Sequence, residues 1–171
     1  QVKQRGFTLI ELMVIIALVA IMAGIAVPSF TRFVNNNRVT TQADEIHRFL
    51  QYARGEAVVQ RRKQTVTVTT LPPQDPVKLK LELEHRVFET VPKLRFGHTL
   101  PQLSVNDIGF LANGTTDQNT KHKILVCTEE PSDTVRIIEI ARSGRVSLKT
   151  LKDLKPEERF KVDVNDCKIT N

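Results

Sequence analysis

Phe7 to Val27 is an almost unbroken apolar run of 21 residues. At ~1.5 Å rise per residue, a helix of that length spans roughly 31 Å, the thickness of one hydrocarbon core. Two cations, Lys3 and Arg5, and then Gly6 precede the run, and a single carboxylate, Glu11, interrupts it four residues after Phe7. A carboxylate at membrane depth costs on the order of 3 kcal/mol to insert, so Glu11 is a functional-site candidate by default.

Read in order, Gly6-Phe7-Thr8-Leu9-Ile10-Glu11-Leu12 resembles the processing site of type IV pilins and pseudopilins. In that family a membrane-embedded aspartyl protease, the prepilin peptidase, cuts after the glycine and methylates the new N-terminal phenylalanine. The glutamate then pairs with the N-terminal amine of a neighbouring subunit. The resemblance implies a cut between Gly6 and Phe7, N-methylation of Phe7 and an assembly role for Glu11. An amine and a carboxylate, each costly alone in a lipid-like core, become tolerable as a pair. The bland alternative is a signal anchor that happens to hold one Glu. The cut precedes the apolar run, unlike that of a conventional secretory signal, so the run stays in the mature protein. The sequence opens at Gln1, not Met, and part of the leader is expected to lie before it.

The 171 residues suffice for one domain plus an anchor. Formal net charge is +6. Without Lys3 and Arg5 the balance is 23 basic against 19 acidic, or +4. Residues 29–63 hold seven Lys/Arg and three Asp/Glu, whereas residues 64–171 hold sixteen and fifteen. The basic excess therefore sits on the stem, and a near-neutral head argues against a general nucleic-acid-binding module. With Lys3 and Arg5 on the cytoplasmic side, the run anchors the chain in the bacterial inner membrane and the head faces the periplasm. That compartment is oxidising, so the two cysteines, Cys127 and Cys167, are read as a disulfide, with two buried free thiols as the alternative.

Beyond Pro28 the apolar residues recur with helical period. Val39, Ala43, Ile46, Leu50, Ala53 and Ala57 follow a 4-3-4-3-4 spacing. The spacing predicts one long helix from about residue 7 to about 62, kinked at Pro28 and weak at Asn35-Asn36-Asn37, with Arg61, Arg62 and Lys63 at its negative dipole end. After Gln64 the period becomes two. Strands are expected at Thr65–Thr69, Val77–Glu84, Arg86–Glu89, Lys93–Phe96, Val105–Leu111, Lys123–Cys127, Thr134–Ala141 and Arg145–Leu151, with a weaker one over Arg159–Ile169. Leu71-Pro72-Pro73-Gln74-Asp75-Pro76 breaks regular structure, and Asn113-Gly114 and Ser143-Gly144 signal hairpin turns. The expected fold is α+β, a pilin fold: a long N-terminal helix, its first half membrane-spanning, packed on an antiparallel β-sheet head. Its parts are a leader (1–6), a transmembrane and assembly helix (7–28), an amphipathic stem helix (29–63) and a β-rich periplasmic head (64–171).

Ile108-Gly109-Phe110-Leu111-Ala112-Asn113-Gly114, and Val135–Ile140 followed by Ala141-Arg142-Ser143-Gly144-Arg145-Val146, are similar to elements of the GspH/FimT/FimU group of minor pilins. The resemblance implies a low-abundance subunit that initiates pilus assembly or sits at the tip, or a minor pseudopilin of a type II secretion system. The implied partners are the prepilin peptidase, other minor and major pilins, and the membrane before assembly. In some FimT proteins a Gly-Arg-x-Arg motif binds DNA during natural transformation. Here Gly144, Arg145, Val146 and Ser147 stand at those positions, and the second Arg is missing. Arg142, Lys149 and Lys152 lie nearby, so Arg142, Arg145, Lys149 and Lys152 form a candidate DNA-binding patch, with Arg145, Ser147 and Lys149 on one strand face. The departed motif, the near-neutral head and the lack of aromatics for stacking put that reading second.

No catalytic constellation stands out. His47, His85, His98 and His122 are scattered without a partner at metal-ligand spacing and read as surface or partly packed side chains. Ser143 lacks the flanks of a nucleophile elbow, and no phosphate-cradling glycine loop occurs. The chain is read as neither an enzyme nor a cofactor or metal binder, but as a substrate of the peptidase.

Overall fold

The computed structural model describes residues 7–71, 78–83, 86–89, 94–98, 106–117, 122–128, 134–159, 162–163 and 167–169. The leader with Gly6, the proline-rich break after Leu71, His85 and the outer ends of several expected strands lie outside the described residues. The chain divides into two units, residues 1–36 and 37–171.

Helix α1 spans Leu9–Val59 and runs through Pro28 and Asn35-Asn36-Asn37. It is the one described helix long and apolar enough to cross a membrane. In the first unit the large apolar side chains from Phe7 to Val27 are all exposed, as are Phe30 and Phe33. In the second unit Val39, Ala43, Ile46, Leu50, Ala53 and Ala57 are all fully buried. The 4-3-4-3-4 series is therefore the core face of the stem, as its period requires.

The helix ends three residues earlier than its basic cluster suggested. Arg61 adopts φ +51°, Arg62 N–H donates to Ala57 O at 3.2 Å and Arg61 N–H to Val58 O at 3.4 Å. This is a Schellman stop built on a non-glycine left-handed residue. Arg61, Arg62 and Lys63 thus lie just past the helix.

The head contains two four-stranded antiparallel sheets. The first has the order β3-β2-β1-β5, built from β1 (Gln64–Leu71), β2 (Lys78–Leu83), β3 (Arg86–Glu89) and β5 (Asn106–Phe110). The second has the order β4-β6-β7-β8, built from β4 (Leu94–His98), β6 (His122–Thr128), β7 (Arg136–Ile140) and β8 (Val146–Thr150). On β1 the alternation is literal: Val66 and Val68 are buried, while Thr65 and Thr67 are half-buried. Register places Val66 opposite Ile108 and Val68 opposite Leu81. Both sheets present one apolar face to the stem. Val66, Ile108 and Phe110 of the first, and Ile124, Val126, Ile138 and Ile140 of the second, join the α1 residues in one core cluster. Phe49 and Tyr52 of α1 meet β3, with Phe88 6.0 Å from Phe49 and the Arg86 guanidinium 4.3 Å above Tyr52.

The second sheet is buried on its other face as well. Leu125, Cys127, Val135 and Ile137 pack there with Leu154 and Cys167. Of the single strand expected over Arg159–Ile169, the described residues of this C-terminal strap form two short pieces that pair with each other, and the others lie outside the described residues. A 3-10 turn (Leu151–Asp153) leads to a one-turn helix α2 (Pro156–Arg159) and a minimal ladder of β9 (Val162–Asp163) with β10 (Lys168–Ile169). Alternation in this stretch is too short to sustain a strand, and Pro156 instead starts the short helix. Lys123 Nζ holds Glu158 Oε1 at 3.3 Å, and Cys127 is bonded to Cys167.

Candidate functional site

At the N-terminal end of α1, Thr8 is the residue before the helix and Glu11 the third within it. Glu11 N–H donates to Thr8 Oγ1 at 3.3 Å, and Thr8 N–H reaches Glu11 Oε2 at 3.5 Å. The two side chains form a capping box that satisfies two otherwise orphaned amides and sets a carboxylate at the positive end of the helix dipole. That explains locally how a glutamate is tolerated at the head of an apolar run. The Thr-x-x-Glu spacing was the signal for it in the sequence. Phe7 is exposed beside it, and its junction with Gly6 lies outside the described residues.

The second site is where the glycine turns meet. Leu111 N–H donates to Thr115 O at 2.7 Å and Gly114 N–H to Leu111 O at 2.8 Å. In the other turn Ala141 N–H donates to Arg145 O at 2.9 Å and Gly144 N–H to Ala141 O at 2.8 Å. These are the same turn twice, each closed by a left-handed glycine, with φ +78° at Gly114 and +72° at Gly144. Ser143-Gly144 joins β7 to β8 as its dipeptide signals. Asn113-Gly114 instead returns β5 onto a single bridge, Phe110 with Thr116.

The two turns lock against each other. Thr116 donates from its N–H and its hydroxyl to Arg142 O, at 3.0 and 3.2 Å. Arg54 of α1 donates its Nε–H to Gly114 O at 2.9 Å. A Cβ on Gly144 would fall 1.8 Å from that same oxygen, so only glycine fits. Asp117 N–H bonds Gly109 O at 3.0 Å, and the Asp117 carboxylate lies over the Gly109 Cα while pairing with Lys63 at 2.6 Å. The lock therefore draws residues just past α1, the β5 turn and the β7–β8 turn to one place.

This regroups the candidate basic patch. Arg142 and Arg145 are exposed on the second turn. Ser147 and Lys149 share the strand face opposite Val146 and Leu148, which join the core. Lys149 Nζ sits 3.0 Å from Glu139 Oε2, and that glutamate is only 6% exposed. Lys149 is thus committed to neutralising a buried carboxylate. Lys152 is exposed on the 3-10 turn, beyond the opposite end of β8 from Arg145. Five residues of strand separate the two ends, about 17 Å at strand rise.

His47 and His122 are the two histidines whose side chains are described. Among the described residues no group of three His, Cys, Asp or Glu is placed to hold a metal. His47 Nε2 lies 3.2 Å from Val146 O. His122 is not the surface or partly packed residue expected: it is 3% exposed, and among the described residues its Nε2 has no hydrogen-bond partner. Burial pushes its pKa below the usual imidazole value, and the Asp117 charge opposes that shift. Sequence reasoning missed it because His122 opens an apolar β6 whose two faces are both covered.

Comparison with known proteins agrees with this geometry. Residues 2–27 match the prokaryotic N-terminal methylation motif. A fimbrial protein of Pseudomonas aeruginosa is 27% identical over 168 residues, covering 98% of this chain and 86% of that one. The type IV major alpha-pilin of Moraxella bovis is 42% identical over 43 residues, 25% of this chain and 27% of that protein. The crystal structure of the type IV minor pilin FimU of Pseudomonas aeruginosa (strain PAO1) superposes with a TM-score of 0.55 at 24% identity, covering 72% of this chain and 97% of that one. The chain thus carries a prokaryotic N-terminal methylation motif at the head of an apolar helix, and its fold is that of a pilin.

Proposed function

We propose that the chain is a minor type IV pilin. Prepilin peptidase cuts it between Gly6 and Phe7 and methylates Phe7. Residues 7–28 then hold it in the bacterial inner membrane with its head in the periplasm. On assembly it enters a pilus, where it helps start the filament or sits near the tip. The observation that carries this reading is the wholly exposed apolar surface of Phe7–Val27 with one carboxylate at its head. An apolar surface of that extent requires lipid or neighbouring subunits to cover it. Glu11 caps its own helix and keeps a second carboxylate oxygen for a neighbour's amine. The helix-and-sheet likeness to a minor pilin supports the same reading.

Glu11→Ala tests it. The variant should insert in the membrane normally but enter pili less than the wild type, and normal incorporation would refute the role of Glu11. Gly6→Ala should leave the leader uncut, so mature-length protein from that variant would refute the cleavage site.

A further inference from the structure

Asn113-Gly114 is the chain's one Asn-Gly step. The dipeptide is a turn signal, and it is also a reactive pair. A glycine nitrogen has no neighbouring Cβ to hinder its attack on the side-chain amide of a preceding asparagine. In that attack the Gly114 nitrogen loses its proton and bonds Asn113 Cγ. The Cγ–Nδ2 bond breaks and ammonia leaves. Water then opens the cyclic imide at either of its carbonyls. Opening at Cγ leaves aspartate. Opening at the main-chain carbonyl leaves isoaspartate, whose backbone runs through Cβ and Cγ. The whole change consumes one water, releases one ammonia and involves no oxidation.

The folded turn withholds the geometry this ring needs. Gly114 N–H donates to Leu111 O at 2.8 Å, so the attacking nitrogen is already engaged. Neither Ala112 nor Asn113 has a positive φ, whereas Gly114 has φ +78°. A hydrogen-bonded turn of that pattern is type I followed by a left-handed glycine, which sets ψ of Asn113 at about 0°. At that angle the nitrogens of residues 113 and 114 are nearly eclipsed, and Cβ stands off to the side. Ring closure needs Cβ and the Gly114 nitrogen eclipsed instead, so ψ must turn far from its native value. Asn113 Oδ1 accepts from Thr115 N–H at 3.0 Å and from Thr115 Oγ1 at 2.7 Å. Those donors polarise Cγ and by themselves favour attack, but they count for nothing while the nitrogen cannot reach the carbon.

Rotation at Asn113 cannot occur alone. It swings Gly114, whose carbonyl oxygen takes the Arg54 Nε–H at 2.9 Å and lies against Gly144. It also pulls on the bond from Leu111 N–H to Thr115 O at 2.7 Å. Asn113 is exposed while Gly114 is buried, so water is at hand and backbone freedom is what the fold withholds. We infer that Asn113 is a deamidation site that the interlocked turns hold inert, and that it reacts in molecules whose lock has opened. The mark is permanent, and its two products differ in effect. Aspartate keeps an oxygen for Thr115 and leaves the main chain unchanged. Isoaspartate adds a backbone atom before Gly114, so that residue's carbonyl no longer meets both Arg54 and Gly144.

The full-length chain in detergent micelles, aged in mildly alkaline buffer, supplies the test. Peptide mapping by mass spectrometry follows conversion at position 113, and chromatography separates the aspartate and isoaspartate forms. Asn113 of the folded protein should react at least about tenfold more slowly than in the chain unfolded by guanidinium chloride, as for any site reached only through a costly opening. Arg54→Leu leaves the Asn-Gly step intact and removes the donor that holds Gly114 O. It should raise the native-state rate about tenfold. If that variant does not fold, wild type at guanidinium concentrations below its unfolding transition takes its place. There the rate at Asn113 should climb while circular dichroism still reads native. The isoaspartate form should melt lower than unmodified protein, whereas Asn113→Asp should melt with it.

Equal rates in folded and unfolded protein overturn the inference, as does an unfolded chain in which Asn113 stays intact. So does an Arg54→Leu variant that folds yet reacts no faster than wild type, or, where it does not fold, a wild-type rate that stays flat up to the transition. An isoaspartate form as stable as unmodified protein overturns the claim that this product breaks the lock.

Discussion

Arg54 holds the carbonyl oxygen of Gly114 at 2.9 Å, sixty residues along the chain, and Gly144 comes so close to that oxygen that a methyl group cannot stand between them. One helix side chain and two glycines from different hairpins thus meet at a single atom, which fixes the helix against the ends of both sheets.

Gly144→Ala combines a left-handed backbone with a 1.8 Å collision against backbone, which no side-chain rotation relieves. It should lose about 2–4 kcal/mol of stability, read from urea unfolding of the purified protein. Arg54→Leu leaves Gly114 O without its charged donor and should cost about 1.5–3 kcal/mol in the same measurement. A Gly144→Ala variant as stable as wild type would show that the two turns are not locked in solution.

Gly109→Ala meets a different obstacle. Its Cβ would lie 2.2 Å from Asp117 Oδ2, the end of a side chain that can swing away. The expected cost is therefore smaller, about 1–2 kcal/mol, with the Lys63 ion pair lost. Asp117→Ala clears the obstacle, so the double variant should regain most of the loss. A double-mutant cycle with no coupling between positions 109 and 117 would contradict this contact.

His122 gives the head a pH dependence. Its folded-state pKa is lowered, chiefly by burial, while in the unfolded chain it stays near the ordinary value of about 6.5. Below that value the unfolded state binds a proton that the folded state refuses. Stability should thus decline as pH falls from about 6.5 toward the folded pKa and level off below it. His122→Leu removes the titrating group, so its melting temperature should change less between pH 7 and 5 than that of wild type. Equal declines in the two proteins would place the sensitivity elsewhere.

The bond between Cys127 and Cys167 closes a loop of sequence separation 40 and fastens the strap over Leu125, Val135 and Ile137. Reduction should cost about 4 kcal/mol in the chain-entropy model. It should also raise binding of an apolar dye as the outer face of the second sheet opens. Labelling of both cysteines under denaturing, non-reducing conditions would show that the bond is absent from the isolated protein.

What could be read directly were the features whose physics is local. The apolar length of Phe7–Val27 and the core face from Val39 to Ala57 need only a run or a helical period, whereas the Thr8–Glu11 capping box was present as a spacing but went unread. Most strands followed from alternation and most turns from Asn-Gly and Ser-Gly. The division into two sheets was not legible, because strand order depends on pairings such as Leu94 with Thr128 that adjacent sequence does not encode. The C-terminal strap misled for the same reason: its short apolar spacings serve a disulfide-tied cover, not a strand. Charge was the least legible of all. Arg145 and Lys149 are four residues apart, yet one is exposed at a turn and the other is bound to Glu139. Lys63 and Asp117 are fifty-four residues apart and pair at 2.6 Å. The sequence by itself determined the apolar helix, the methylation motif at its head and the amphipathic stem, since each is a periodicity or a run within a single element. Only the tertiary structure decided which charged side chains find a partner and which glycines meet, because that depends on two turns distant in sequence closing on one carbonyl held by Arg54.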